Sequence, residues 1–120
     1  MPTHSMILYV EDPMKSADFY EKLLRAKPVE ASPGFAMFAL TAPTMLGLWK
    51  RADVKPAVTA AAGSNELGFQ VENDPIVDQF FSAAKGIGAA VLQEPTHLDF
   101  GYTFTVADPD GNRLRVFAPS

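Results

Sequence analysis

Apolar and polar positions alternate over short stretches of this chain, and twice the alternation gives way to helical spacing. From Met6 to Leu24, MILYVEDPMKSADFYEKLL opens as an apolar strand, passes an acidic residue and a proline, and continues with Ala17, Tyr20, Leu23 and Leu24 on one helical face. From Leu67 to Gly88, LGFQVENDPIVDQFFSAAKGIG repeats that order, with Val77, Phe80, Phe81 and Ala84 as the apolar face. Asp12 and Asp74 suit the N-cap, Pro13 and Pro75 the first helical turn, and Gly86 or Gly88 the C-terminal stop.

The repeat extends downstream. GFAMFALTAPTMLGLW, from Gly34 to Trp49, matches GYTFTVADPDGNRLRVF, from Gly101 to Phe117, each reading as strand, proline-containing turn and strand. The predicted order is therefore β-α-β-β-β, twice. The expected fold is α+β: two such modules, about 3–50 and 64–119, joined by a linker at 51–63 within one domain spanning 1–120. The modules should form cupped mixed sheets with a helix on the outer face of each.

Strand parity then sorts the side chains. With Met6, Leu8 and Val10 toward the helix, Ser5, Ile7 and Tyr9 take the opposite face. By the same rule Met45, Gly47 and Trp49 oppose Leu46 and Leu48. Glu66, Gly68 and Gln70 oppose Leu67 and Phe69, and Arg113, Arg115 and Phe117 oppose Leu114 and Val116. This second face is too mixed for core and too apolar for ordinary surface. It suits a binding concavity, with apolar walls and a few polar anchors. A solvated sheet face with Trp49 at a dimer contact is the alternative.

Composition narrows the chemistry. The 120 residues are 48% hydrophobic, as a folded globule requires, and Lys+Arg 10 against Asp+Glu 14 gives a net charge of −4. No basic run could neutralise a line of phosphates, so nucleic acid is not an expected partner. No window has the length of a membrane span, and no secretory signal is apparent, so a cytoplasmic protein is expected. The absence of cysteine removes disulfides, thiol nucleophiles and Cys-type metal sites. His4 and His97 are the only histidines; the first is read as a terminal residue, the second as a surface or lid residue in a loop.

The paired modules, the opening YVEDPMKSADFYEKLL and the ending FTVADPDGNRLRVFAP resemble the vicinal oxygen chelate superfamily, which includes glyoxalases, bleomycin resistance proteins and extradiol dioxygenases. The resemblance runs from Met6 to Pro119 and marks the fold better than the activity. It implies a cup in which metal-dependent members place two histidines, a further ligand and a glutamate. Those positions fall here on Ser5, Gly47 or Trp49, Glu66 and Arg115. A hydroxyl, an indole, one carboxylate and a guanidinium are a poor donor set for a divalent metal, so no metal or other cofactor is expected.

The resemblance is nearest in character to the metal-free resistance proteins that bind bleomycin or phenazines. It implies sequestration of a planar aromatic small molecule, no catalytic residues, and a homodimer. The expected ligand-binding residues are Ser5, Ile7, Phe35, Met37, Trp49, Glu66, Thr103, Thr105 and Arg115, with Asp99 and Phe100 in a loop able to close over the cup. Glu66 and Arg115 either contact the ligand or pair with each other in the position of the metal. The alternatives are a glyoxalase-like lyase or isomerase, using an unrecognised metal or Glu66 as general base, and a module that binds no small molecule. Arg115 beside Glu66 would weaken it as a base.

Overall fold

The computed structural model describes residues 3–120. Its elements follow the order β1 (Ser5–Val10), α1 (Pro13–Leu24), β2 (Glu30–Ala31), β3 (Phe35–Ala39) and β4 (Met45–Lys50), then β5 (Glu66–Gln70), α2 (Asp74–Gly86), β6 (Ala90–Leu98), β7 (Gly101–Ala107) and β8 (Arg113–Pro119). This is the expected α+β arrangement of two β-α-β-β-β modules. One compact unit ends at Ala60 and a second begins at Ala61. Neither helix, at 12 and 13 residues, is long and apolar enough to cross a membrane.

Each module holds one mixed four-stranded sheet, in the orders β1-β4-β3-β2 and β5-β8-β7-β6. The first strand of each module runs parallel to the last, and the other pairings are antiparallel. A parallel pair needs a crossover, and the helix supplies it while covering one sheet face. In the first module Leu8, Val10, Ala36, Phe38, Leu46 and Leu48 are buried against the face of α1 that carries Ala17, Tyr20 and Leu23. In the second, Phe104, Val106, Leu114 and Val116 are buried on the side of α2 that carries Val77 and Ala84.

The helix ends obey local chemistry, with one shift from expectation. The carboxylate of Asp12 accepts from the amides of Met14 and Lys15 at 3.1 and 3.2 Å, and Pro13 begins α1. In α2 the cap is Asn73 instead of Asp74: its Oδ1 accepts from the amide of Ile76 at 3.1 Å. Either residue type can cap, and the one outside the helical φ/ψ takes the role; Asp74 then lies in the first turn, where its charge favours the helix dipole. Gly88, at φ +78°, closes α2: its amide reaches Lys85 O at 3.0 Å while Ala89 N reaches Ala84 O at 3.0 Å. These two bonds make a Schellman stop that favours glycine at the left-handed position.

The Asp-Pro-Asp-Gly-Asn turn between β7 and β8 is organised by its first residue. Buried Asp108 accepts from Asp110 N and Asn112 N, both at 2.9 Å, and from Asn112 Nδ2 at 3.0 Å. A carboxylate that gathers these donors fixes the register in which β8 leaves the turn, and so fixes which face Arg115 takes.

Candidate ligand-binding faces

In the first module, the sheet face away from α1 is built from cross-strand rows. Ser5 lies beside Met45, Ile7 beside Gly47, and Tyr9 beside Trp49; Gly47 faces Met37 and Trp49 faces Phe35. Ser5, Ile7, Phe35, Met37 and Trp49 therefore share one face, joined by Tyr9, which the sequence reading left out of the site. Ile7 and Tyr9 are 46% and 40% exposed, although both are large and apolar in character. Tyr9 and Trp49 meet edge to face, their ring centroids 6.4 Å apart at 75°.

Gly47 gives this face its relief. A Cβ built there would lie 3.0 Å from Phe35 Cζ and 3.6 Å from Ile7 Cγ1. The phenyl ring thus lies down over the backbone of β4, in space that a side chain would occupy. The result is an apolar shelf with an aromatic floor.

In the second module, Glu66, Thr103, Thr105 and Arg115 share the face away from α2. Arg115 donates from Nε to Glu66 Oε1 at 2.6 Å, and from Nη1 to Thr103 Oγ1 at 3.2 Å and Gln93 Oε1 at 3.3 Å. The ion pair is partly screened by solvent, with the Arg115 and Glu66 side chains 18% and 36% exposed. The Thr103 hydroxyl donates in turn to Val116 O at 2.9 Å. Both threonines are fully buried, and the Thr105 hydroxyl has no hydrogen-bond partner among the described residues.

Asp99 and Phe100 form the turn between β6 and β7. The Phe100 ring packs edge to face on Phe117, with centroids 5.7 Å apart, and lies 5.7 Å from the Arg115 guanidinium carbon. His97 is not in a loop. It lies within β6 opposite Tyr102, their rings 4.7 Å apart, because β6 continues to Leu98. His4 precedes β1, and its Nε2 lies 3.3 Å from Thr44 Oγ1. Gln93 was missed by the sequence reading, because regular alternation in β6 would have turned it toward α2.

The four positions to which the resemblance assigns metal ligands do not fit a divalent ion. Ser5 offers a hydroxyl, Gly47 no side chain or Trp49 an indole, and the carboxylate of Glu66 already binds the guanidinium that stands in place of the glutamate. No group of three or more His, Cys, Asp or Glu residues that could hold a metal occurs among the described residues. Two grooves within single modules, of about 540 Å³ beside Phe81, Lys85 and Leu92 and about 340 Å³ beside Glu11, Arg51 and Lys55, involve none of the sequence-predicted residues.

Repeated β-α-β-β-β modules with these faces define a class, and the comparison with known families agrees: the chain belongs to the Glyoxalase/Bleomycin resistance protein/Dioxygenase superfamily, whose family model matches residues 3–116. Among curated proteins it is similar to the phenazine antibiotic resistance protein EhpR of Enterobacter agglomerans, with 27% identity over 113 residues, covering 92% of this chain and 86% of that protein. A protein from Agrobacterium tumefaciens solved by solution NMR is 48% identical, with a TM-score of 0.89 and coverage of 100% of this chain and 98% of that one. A glyoxalase-related enzyme from Fulvimarina pelagi shares the fold, at 24% identity and a TM-score of 0.87, over 98% of this chain and 88% of that one.

Proposed function

We propose that this protein binds and sequesters a planar aromatic small molecule, as an antibiotic-resistance protein acting without a metal. The observation that carries the reading is the face of β1, β3 and β4, where Trp49, Tyr9, Phe35, Met37 and Ile7 present flat apolar surface in adjoining rows. Stacking on aromatic rings contributes about 0.5–1.5 kcal/mol per pair beyond the area buried, so such a shelf favours extended planar ligands. The likeness to a phenazine antibiotic resistance protein supports the same class of ligand. Sequestration asks for affinity and a complementary surface, and needs no general base. In the second module, Arg115 held by Glu66, with the Phe100 ring and Asp99 in the turn beside it, would offer a separate polar and aromatic face, and the working form would be a cytoplasmic homodimer.

Trp49 is the single tryptophan, so its emission reports on this shelf alone. Titration with phenazine should quench or shift that emission saturably. Trp49→Ala should weaken phenazine binding, read by calorimetry, by about 2 kcal/mol, the range of an aromatic hot spot, while the thermal transition persists. Unchanged emission through a full phenazine titration would overturn the reading.

A further inference from the structure

The aromatic shelf of the first module carries one charge. The register sets Glu30 beside Met37, Met37 beside Gly47 and Gly47 beside Ile7, so these positions form one row across β2, β3, β4 and β1 on the face away from α1. The adjoining row is Phe35, Trp49 and Tyr9. Among the described residues of these four strands, Glu30 is the one charged residue on this face. Lys50, next to Trp49, stands opposite Val10 and turns with it to the helix side.

Glu30 is exposed on the edge strand of its sheet, and no hydrogen bond or ion pair to its carboxylate occurs among the described residues. Glu21 and Glu66, by contrast, are paired with Lys27 and Arg115. In the Glu30 row, the space over Gly47 is taken by the Phe35 ring, whose Cζ lies 3.0 Å from a Cβ built at that glycine. Neighbouring strands lie about 4.8 Å apart, so two spacings, about 10 Å, separate the backbones of Glu30 and Gly47. A planar molecule lying on Phe35 and Trp49 would extend over Met37 toward the carboxylate.

The two features act on ligand charge in the same sense. The negative faces of exposed Trp and Tyr rings favour a cation by about two- to fivefold in affinity, and an exposed carboxylate adds up to about fivefold. A neutral ring gains neither. From this juxtaposition we infer that the first module selects planar aromatic ligands that carry a positive charge, with the rings on Phe35 and Trp49 and the charge attracted to Glu30. The inference rests on the planar-ligand reading above and adds the charge of the ligand. Charge on an edge strand also deters edge-to-edge pairing, a role that leaves ligand choice unaffected.

Phenazine and 5-methylphenazinium share a tricyclic outline, and only the second is a cation. Calorimetric titration in the dark should show wild type preferring the cation by about fivefold, and Trp49→Ala should weaken both probes. Glu30→Gln should lower affinity for the cation by about threefold and leave phenazine unchanged. Asp18→Asn removes the same charge from the solvent-exposed side of α1, beyond the sheet, and should change neither. Equal binding of both probes by wild type, a full preference kept in Glu30→Gln, an equal loss in Asp18→Asn, or cation binding untouched by Trp49→Ala would overturn the charge preference while leaving the planar-ligand reading standing. Failure of wild type to bind either probe would overturn both.

Discussion

Glu66 stands opposite Arg113 in the parallel ladder of β5 and β8, yet its carboxylate takes Arg115, two residues further along, with Nε 2.6 Å from Oε1. The diagonal reach draws the guanidinium over the sheet face, where it also meets Thr103, Gln93 and the Phe100 ring. Glu66 is thus an anchor for Arg115 as much as a charge in its own right.

Because the pair is partly exposed, its removal should cost less than loss of a deeply buried ion pair. Glu66→Gln is expected to lower the unfolding free energy by about 1 kcal/mol, after discounting for solvent screening. The pairing of Glu66→Leu with Arg115→Met should recover most of that loss, since neither charge is then left alone. Urea denaturation of the three proteins is the check. A double variant much less stable than Glu66→Gln would mean that Arg115 is held chiefly by Thr103 and Gln93.

Chelation tests the donor set directly. A hydroxyl, a glycine or indole, and a carboxylate already bound to arginine give a divalent ion too few ligands, so dialysis against EDTA should leave both the melting temperature and phenazine affinity unchanged. A fall in either, restored by one added metal per chain, would show a site built from other residues.

Ile7, Trp49 and Arg115 were assignable to their faces because their strands alternate cleanly against a helix-covered side, and a side-chain period of two leaves little choice. Placing Glu66 and Arg115 on neighbouring strands left pairing and ligand contact both open, and the structure shows the pair. Gln93 did not follow, since its orientation depends on two register shifts in β6, and nothing in AVLQEPTHL states where an extra residue will be accommodated. Thr103 and Thr105 were placed on the correct strand face, but their complete burial depends on the side chains packed over them. The segment PTHLDFG reads as a loop before the seventh strand, whereas pairing of His97 with Tyr102 extends β6 through it.

Tyr102 offers a pH signature in the second module. Its phenol donates to Asp78 Oδ1 at 2.8 Å, and this bond, followed by burial and the charges of Asp78 and Asp74, raises its pKa above the usual 10.0. The bond needs the protonated phenol, so its contribution is fully present below the unfolded-state pKa and is lost as pH rises through the higher folded value. Absorbance at about 295 nm, taken as the difference between wild type and Tyr102→Phe, should titrate above the ordinary tyrosine range. Asp78→Asn should move that titration down. An unmoved curve would mean that the bond does not hold in solution.

Gly47 and Phe35 offer the sharpest test of the aromatic shelf, because one substitution can disturb the ring without removing it. A Cβ at position 47 would stand 3.0 Å from Phe35 Cζ, tight enough that alanine should shift the ring by a few tenths of an ångström and valine should drive it off β4. The backbone there needs no positive φ, and β-branched residues suit strands, so Gly47→Val should stay within about 1 kcal/mol of wild-type stability as Phe35 rotates away. Its phenazine affinity should nevertheless fall about tenfold, one stacking contact having been lost, with Gly47→Ala between the two. Phe35→Ala should show a comparable loss, and combining it with Gly47→Val should add little further, since both act on the same ring. Phenazine titrations followed by Trp49 emission would measure all four variants. Wild-type affinity in Gly47→Val would remove Phe35 from the binding surface, and additive losses in the double variant would mean that Gly47 contributes by a route other than the ring above it.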